Sequence, residues 1–133
     1  MTDIQAAFSL SGQVALVTAA SKGIGRACAI ALAQAGADII LGLRDKASGG
    51  EIVEEIRQLG REALPVQMDV SKMDEISAAV QTGWEHFRRI DILVNNAGIG
   101  APNPAEKVTE KDFDETLAVN LKGTFFTAQT VGR

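Results

Sequence analysis

The segment from Val14 to Gly25 joins an apolar run to a glycine turn and the start of a helix. Val14–Thr18 is apolar enough for a buried strand, and Gly23 and Gly25 let the chain turn tightly before a helical pattern continues. Such a turn leaves backbone N–H groups without partners at the positive end of the helix dipole. The segment therefore predicts a binding site for a diphosphate group.

The glycine spacing distinguishes between classes of phosphate-binding protein. The segment has neither the G-x-G-x-x-G pattern of the general dinucleotide fingerprint nor the G-x-x-x-x-G-K-[ST] pattern of a P-loop. A phosphate-transferring NTPase is therefore disfavoured. An ordinary strand-to-helix turn without a ligand stays open at this point, because glycine is common wherever a backbone turns tightly.

Strand-like and helix-like runs alternate along the chain and would position this turn. The predicted strands are Val14–Thr18, Asp38–Leu43, Ala63–Met68 and Ile92–Val94. The predicted helices run from about Ile24 to Ala35, Ser48 to Leu59, Met73 to Phe87, and onward from near Thr109 after a loop over Ile99–Lys107.

The last helix has its own start signal and its own apolar stripe. Thr109 and Asp112 have the spacing of a capping box. The residues expected to face inward are Phe113, Leu117, Leu121, Phe125 and Ala128.

Strands separated by helical segments of about a dozen residues predict βαβ units and hence an α/β fold. We expect a Rossmann-type doubly wound parallel sheet of about four strands, in the order 3-2-1-4, with helices on both faces. Ligands of such sheets bind at the carboxyl ends of the strands, where the strand order reverses. The glycine turn and Asn95–Gly98 both fall there, so they are predicted to line one crevice.

Composition narrows the possible partners. The 133 residues, expected to form one domain over 1–133, have a net charge of -4, which argues against non-specific nucleic-acid or membrane binding. Cys28 is the one cysteine and His86 the one histidine, so neither an intramolecular disulfide nor a histidine-based metal site is expected. The sequence has no membrane-length apolar run and its first residues, Met1–Gln5, lack a signal-peptide pattern, so we expect a cytoplasmic protein.

Four motifs together resemble the short-chain dehydrogenase/reductase family of the classical type. Thr18–Gly25 reads T-A-A-S-K-G-I-G, where the family has T-G-x-x-x-G-[IL]-G. Asp69 and Val70 follow the third strand, Asn95–Gly98 reads N-N-A-G, and Asn120 lies in the last helix. All four motifs occur in the family's order and at compatible spacings. A methyltransferase-like Rossmann domain is disfavoured by the last two.

The resemblance implies hydride transfer between a nicotinamide cofactor and a small alcohol, sugar, polyol or ketone. It implies that Asp69 accepts a hydrogen bond from the adenine amino group and that Asn120 belongs to an Asn-Ser-Tyr-Lys catalytic set, where it perturbs its helix and holds a water in the proton path. The cofactor-binding residues that it implies are Thr18, Ser21, Lys22, Gly23, Ile24, Gly25, Arg44, Asp69, Val70, Asn95, Ala97 and Gly98.

Three of these assignments have structural alternatives. Asp69 could simply cap the helix that follows it. Asn95 and Asn96 could be turn residues alone, and Asn120 could be an ordinary surface residue.

One position departs from the family pattern. Ala19 replaces the first glycine, and its methyl group would be awkward if φ were positive there. Because Gly23 and Gly25 remain, we expect a slightly altered turn that still binds the cofactor.

The residues after the second strand bear on the choice of cofactor. Leu43 stands where NAD-preferring relatives usually carry Asp, and Arg44 follows it. Arg44 and Lys22, with the Ser21 hydroxyl, would suit the 2′-phosphate of NADP. Asp45 would favour NAD if it turned inward. We expect NADP to be preferred, with NAD as the alternative.

The sequence contains no tyrosine, so the family's catalytic Tyr has no counterpart in it, and its Ser and Lys cannot be assigned. We therefore expect the chain to be the cofactor-binding half of a longer enzyme, inactive alone and homotetrameric at full length. The alternative is a catalytically inactive nucleotide-binding or interaction module.

Overall fold

The computed structural model describes residues 3–133. Met1 and Thr2, which the domain prediction over 1–133 includes, lie outside the described residues. A short helix, α1 (Ile4–Ala7), opens the described part of the chain. Short turns lie between the longer elements: the 3₁₀ turns Lys46–Gly49 and Ala105–Lys107 and the π-helical turn Ala118–Gly123.

Four parallel strands form one sheet in the order β3-β2-β1-β4, which confirms the predicted topology. The strands are β1 (Val14–Thr18), β2 (Asp38–Leu43), β3 (Ala63–Gln67) and β4 (Ile92–Val94). β1 pairs with β2 on one side and with β4 on the other. The order therefore reverses between β1 and β4, where the crevice is expected.

Helices cover both faces of the sheet. They are α2 (Gly23–Gln34), α3 (Gly50–Gln58), α4 (Met73–Phe87), α5 (Glu110–Leu117) and α6 (Thr124–Gly132). Alternate residues of β1 point to opposite faces: Val17 packs in the cluster formed with α2 and α3, and Leu16 in the cluster formed with α4. Because both faces are covered, the central strands β1 and β2 are buried along nearly their whole length and are mostly apolar, as is typical of a parallel sheet.

The predicted boundaries of the strands and of α4 hold to within one residue. The second predicted helix is divided, because Asp45 caps a separate 3₁₀ turn before α3 begins. The predicted capping box of α5 is present, with Thr109 and Asp112 each accepting from the other's backbone N–H. Among the helices of residues 3–133, none has the length and apolar character needed to cross a bilayer.

The prediction of which side chains of the last helical segment face inward is wrong. The five residues of that stripe are all exposed: Phe113, Leu117, Leu121, Phe125 and Ala128. The opposite face packs inward through Gly123 and Thr127, and a Cβ at Gly123 would lie 2.6 Å from the Val70 carbonyl oxygen. At Gly123 the backbone approaches so closely that no larger residue fits, and the apolar side chains that pack on the core are Val119, Phe126 and Val131.

Candidate functional site

The glycine turn between β1 and α2 leaves the first turn of α2 open to an anion. Lys22 is the N-cap residue, and in the described part of the chain no side chain caps this helix end. Gly23 has φ +58, and the space where a side chain would stand is open. The N–H groups of the first turn therefore face unfilled space, as a diphosphate site requires.

The second glycine of the turn is needed for a different reason. A Cβ at Gly25 would collide with the Ala19 carbonyl oxygen and with Nδ2 of Asn96. Gly25 therefore lets the helix pack directly against the turn. This close approach brings the start of α2 to the carboxyl end of β4.

Ala19 adopts a left-handed backbone conformation, with φ +53. Glycine takes this conformation without a steric penalty, whereas for alanine it costs on the order of 1 kcal/mol. Ala19 therefore carries the steric strain that the sequence predicted for a positive φ at this position. Its carbonyl oxygen accepts a hydrogen bond of 3.3 Å from Asn96 Nδ2, which helps to hold it.

Thr18 joins the ends of β1 and β4. Its buried Oγ1 accepts hydrogen bonds from the backbone N–H groups of Asn96 at 3.0 Å and Ala97 at 2.9 Å, and donates to the Val94 carbonyl at 3.4 Å. The Asn96 side chain returns a bond of 3.2 Å to the Thr18 carbonyl. The two strands and the glycine turn are therefore fixed to one another at the switch point.

Sequence reasoning selected Asn95 and missed Asn96. The Asn95 side chain is exposed and forms no hydrogen bond with any residue of 3–133, whereas Asn96 bridges to Thr18 and Ala19. The asparagine pair itself was the available signal. Which member faces the turn depends on the chain's path after β4, and the motif does not encode that path in isolation.

Asp69 lies just beyond β3, at the same end of the sheet. Its Oδ1 accepts from the Ser71 backbone N–H at 3.0 Å and from the Ser71 hydroxyl at 2.7 Å. Burial alone would raise the pKa of this carboxyl, but the Ser71 hydrogen bonds and the nearby charges of Lys72 and Arg44 outweigh it and lower the pKa. The carboxylate is thus ionised at neutral pH. The alternative that Asp69 caps the following helix is wrong, because Lys72 is the N-cap of α4 and Oδ1 of Asp69 instead closes a local turn with Ser71. Oδ2 of Asp69 is left for another donor.

Arg44 directly follows β2, and its positive charge lies close enough to Asp69 to help lower the pKa of that carboxyl. Across the described residues it forms no ion pair. The next residue, Asp45, is the N-cap of the 3₁₀ turn, where its Oδ1 accepts from the Ala47 N–H at 3.0 Å. The Arg44 guanidinium therefore has no carboxylate partner among the described residues, whereas the Asp45 carboxylate is bonded to the backbone of its own turn.

Asn120 lies within the π-helical turn Ala118–Gly123, which is the helix perturbation that the resemblance implies. Its Oδ1 accepts from the Ile99 N–H at 2.8 Å, and its Nδ2 donates to the Ile99 carbonyl at 2.7 Å. These paired bonds tie the helix to the loop after Gly98. Hydrogen bonds thus connect the glycine turn to the N-N-A-G segment, and the residue after that segment to the π turn.

Of the remaining predicted residues, three lie at the start of α2 and one follows β3. Ile24 is 76% exposed at the start of α2, Ser21 is half-buried and Lys22 is exposed. Val70 is buried beneath Gly123. Within residues 3–133 no three His, Cys, Asp or Glu side chains lie close enough to hold a metal ion.

Comparison with known proteins gives consistent matches over nearly all of this chain. The model of the short chain dehydrogenase family matches residues 13–133. A hydroxynaphthalene reductase-like protein of Metarhizium acridum is 41% identical over 123 residues, 91% of this chain and 46% of that protein. The 2-dehydro-3-deoxy-D-gluconate 5-dehydrogenase of Escherichia coli is 40% identical over 130 residues, 98% of this chain and 51% of that protein.

Solved structures match equally well. A short-chain type dehydrogenase/reductase from Mycobacterium marinum superposes with a TM-score of 0.95 at 34% identity, covering 98% of this chain and 52% of that one. A 7α-hydroxysteroid dehydrogenase in complex with NADH and 7-oxo glycochenodeoxycholic acid gives a TM-score of 0.91 at 33% identity, with 98% and 51% covered. The chain spans about half the length of the relatives it matches.

Proposed function

This chain belongs to the short-chain dehydrogenase family, and from that premise we propose that it forms the cofactor-binding half of an NAD(P)-dependent oxidoreductase. The proposed reaction moves a hydride between the nicotinamide ring and a small alcohol, sugar, polyol or ketone. The supporting observation is the crevice at the switch point, where the uncapped start of α2 meets the Thr18–Asn96 connection.

The residues present fit a dinucleotide. The first-turn N–H groups of α2, at Gly23, Ile24 and Gly25, would bind the diphosphate, with Ser21 and Lys22 beside them. The open space at Gly23 supports this assignment, because a side chain there would occupy the approach to the helix end. Bound in this position, the nicotinamide cofactor would supply the hydride acceptor or donor.

The other cofactor-binding residues have roles that follow from their positions. Asp69, ionised and with Oδ2 left for a donor, would accept from the adenine amino group, and Val70 would form part of the same wall. Asn95, Ala97 and Gly98 would form the floor of the crevice, held by Thr18 through the Ala97 N–H.

We assign NADP as the preferred cofactor. Arg44 has no carboxylate partner in the described residues, and its planar guanidinium suits bidentate bonding to a phosphate. Asp45, the residue that would favour NAD, has one carboxylate oxygen engaged in capping the 3₁₀ turn. The exposed Lys22 adds a second positive charge at the turn.

Asn120 would act in catalysis from the π-helical turn. The turn frees a backbone carbonyl from the regular α-helical pattern, and such a carbonyl can hold a water for proton transfer. The family's Ser, Tyr and Lys would complete the site at full length, and the 133 residues alone should be inactive.

The exposed apolar stripe supports a homotetramer at full length. Leu117, Leu121 and Phe125 line a groove with Phe126, and an exposed apolar groove of this kind is typical of a subunit contact. We also expect a cytoplasmic location. Sedimentation equilibrium on the full-length protein would measure the number of subunits.

Calorimetric titration of the full-length protein with NADP⁺ and NAD⁺ tests the proposed cofactor site, and a panel of alcohols and ketones followed by absorbance at the reduced-nicotinamide band tests the reaction. Binding and turnover of at least one substrate would support the oxidoreductase. Cofactor binding without turnover would favour the inactive nucleotide-binding module.

A further inference from the structure

Gln67, the last residue of β3, holds the segment that follows β2. Its Nε2 donates to the Arg44 carbonyl at 2.6 Å, and its Oε1 accepts from the Lys46 N–H at 3.0 Å. The strand pairing ends at Leu43 and Gln67. The Gln67 amide therefore bonds to the backbone just beyond the last paired residue of β2. Its two contacts, with Arg44 and Lys46, flank Asp45.

Glu75, in the first turn of α4, links this contact to Asp69. Its Oε2 accepts from the Asp69 N–H at 2.6 Å and from Gln67 Nε2 at 3.3 Å. The Glu75 side chain is only 21% exposed, and its other oxygen lies 3.5 Å from Lys72 Nζ. Two segments that flank the adenosine end of the proposed cofactor site, at Arg44 and at Asp69, thus depend on one network of hydrogen bonds.

Glutamine is the side chain that this position requires. The contact needs a donor for the Arg44 carbonyl and an acceptor for the Lys46 N–H on one side chain. Methionine has the same length but neither function. Glutamate would lose the donor and place a second negative charge beside Glu75.

We propose that Gln67 is a positioning residue that determines cofactor specificity, because it fixes the backbone from which Arg44 reaches the 2′-phosphate of NADP. This inference rests on the proposed function. A free arginine loses considerable conformational entropy when it binds a phosphate. Fixing the backbone of Arg44 in advance reduces the entropy that remains to be lost on binding. The affinity therefore rises only for the cofactor that Arg44 contacts.

The test is a double-mutant cycle on the full-length protein, with dissociation constants for NADP⁺ and NAD⁺ measured by calorimetry. The variants are Gln67→Met, Arg44→Met and the two combined. Gln67→Met should weaken NADP⁺ binding by about five- to tenfold and change NAD⁺ binding by less than about twofold. In the Arg44→Met background the same substitution should have no further effect on NADP⁺.

Gln81→Met is the matched control, since Gln81 is an exposed glutamine whose amide donates to Glu85 of its own helix. It should leave both dissociation constants unchanged. An equal loss of both cofactors in Gln67→Met would mean a merely structural role and would overturn the inference. A loss of NADP⁺ binding that persists without Arg44 would also overturn it.

The outcomes separate this inference from the proposed function. If the wild-type protein binds NADP⁺ but Gln67→Met binds it equally well, the inference alone fails. If the wild type binds only NAD⁺, the 2′-phosphate role is lost while the oxidoreductase assignment stands. If it binds neither, both are contradicted.

Discussion

Thr18 and Asn96 are joined by two hydrogen bonds, in each of which the backbone of one residue meets the side chain of the other. The Asn96 N–H donates to Thr18 Oγ1 at 3.0 Å, and Asn96 Nδ2 donates to the Thr18 carbonyl at 3.2 Å. Through Asn96 Nδ2 the same contact reaches the Ala19 carbonyl in the glycine turn. The geometry of the proposed diphosphate site therefore depends on a residue of β1 and a residue that follows β4.

Thr18→Val should destabilise the protein and weaken cofactor binding. Valine keeps the shape of threonine, but the Ala97 N–H loses its acceptor and the Asn96 N–H keeps only its bond of 3.1 Å to the Val94 carbonyl. Leaving a partly buried donor unpaired costs about 1–3 kcal/mol, so we expect the free energy of unfolding to fall by about 1–2 kcal/mol. Chemical denaturation of the full-length variant measures this. An unchanged midpoint would show that Thr18 does not hold the two strands together.

Thr127→Val should have the opposite effect. Thr127 is as deeply buried as Thr18, but within residues 3–133 its Oγ1 has no hydrogen-bond partner. Removing a buried hydroxyl that lacks a partner should raise the free energy of unfolding by about 1 kcal/mol. Denaturation under the same conditions makes the two variants a matched pair. A comparable loss of stability in both would show that the partners of the hydroxyl do not matter.

Ala19→Gly should stabilise the turn without changing its function. Removing the methyl group relieves the strain of φ +53, and the gain of about 1 kcal/mol is partly offset by the greater freedom of glycine in the unfolded chain. Thermal unfolding measures the first effect, and cofactor titration the second. We expect the affinity to change little. A much tighter complex in Ala19→Gly would mean that alanine distorts the site.

Asp91 should make folding stability depend on acid pH. Hydrogen bonds from Arg89, together with the Val14 N–H, lower the pKa of Asp91 despite an opposing effect of burial. Because the folded pKa lies below the unfolded value of about 3.9, the stabilisation is present above that value and is lost as pH falls through the folded pKa. The free energy of unfolding should therefore decline with pH in this acid range.

Asp91→Asn should reduce the loss of unfolding free energy at acid pH, as measured by denaturation at a series of pH values below about 5. Asp114→Asn, on the exposed surface of α5, removes the same charge and controls for net charge. If the two variants have the same pH profile, the Arg89–Asp91 contact does not contribute.

Sequence alone predicted the fold well because its signals are local and strong. The β1 residues are buried on both faces, and Gly23 and Gly25 each meet a requirement that only glycine satisfies well. The order of the strands then followed from general rules for parallel sheets. The pattern therefore predicted which strands lie side by side where the strand order reverses.

The errors arose where the answer depends on distant parts of the chain. The stripe of Phe113, Leu117 and Leu121 has the spacing of a core face, but the closest packing is taken by the small residue Gly123 against Val70. A helical pattern records which residues share a face and does not record which face meets the sheet. The same limit applies to Asn96, whose role depends on the position of Thr18, 78 residues earlier.

The most direct test of the diphosphate site is calorimetric titration of the full-length protein with NADP⁺ and NAD⁺, beside the variant Ser21→Asp. The wild type should bind at least one cofactor, with a dissociation constant inside the usual KM range of about 1 μM to 1 mM. A negative charge at the start of α2 should weaken this binding by at least about tenfold, because it repels the diphosphate, whereas Ser77→Asp on the exposed side of α4 should not. No heat from either cofactor, or equal binding by Ser21→Asp and the wild type, would contradict the assignment of this crevice.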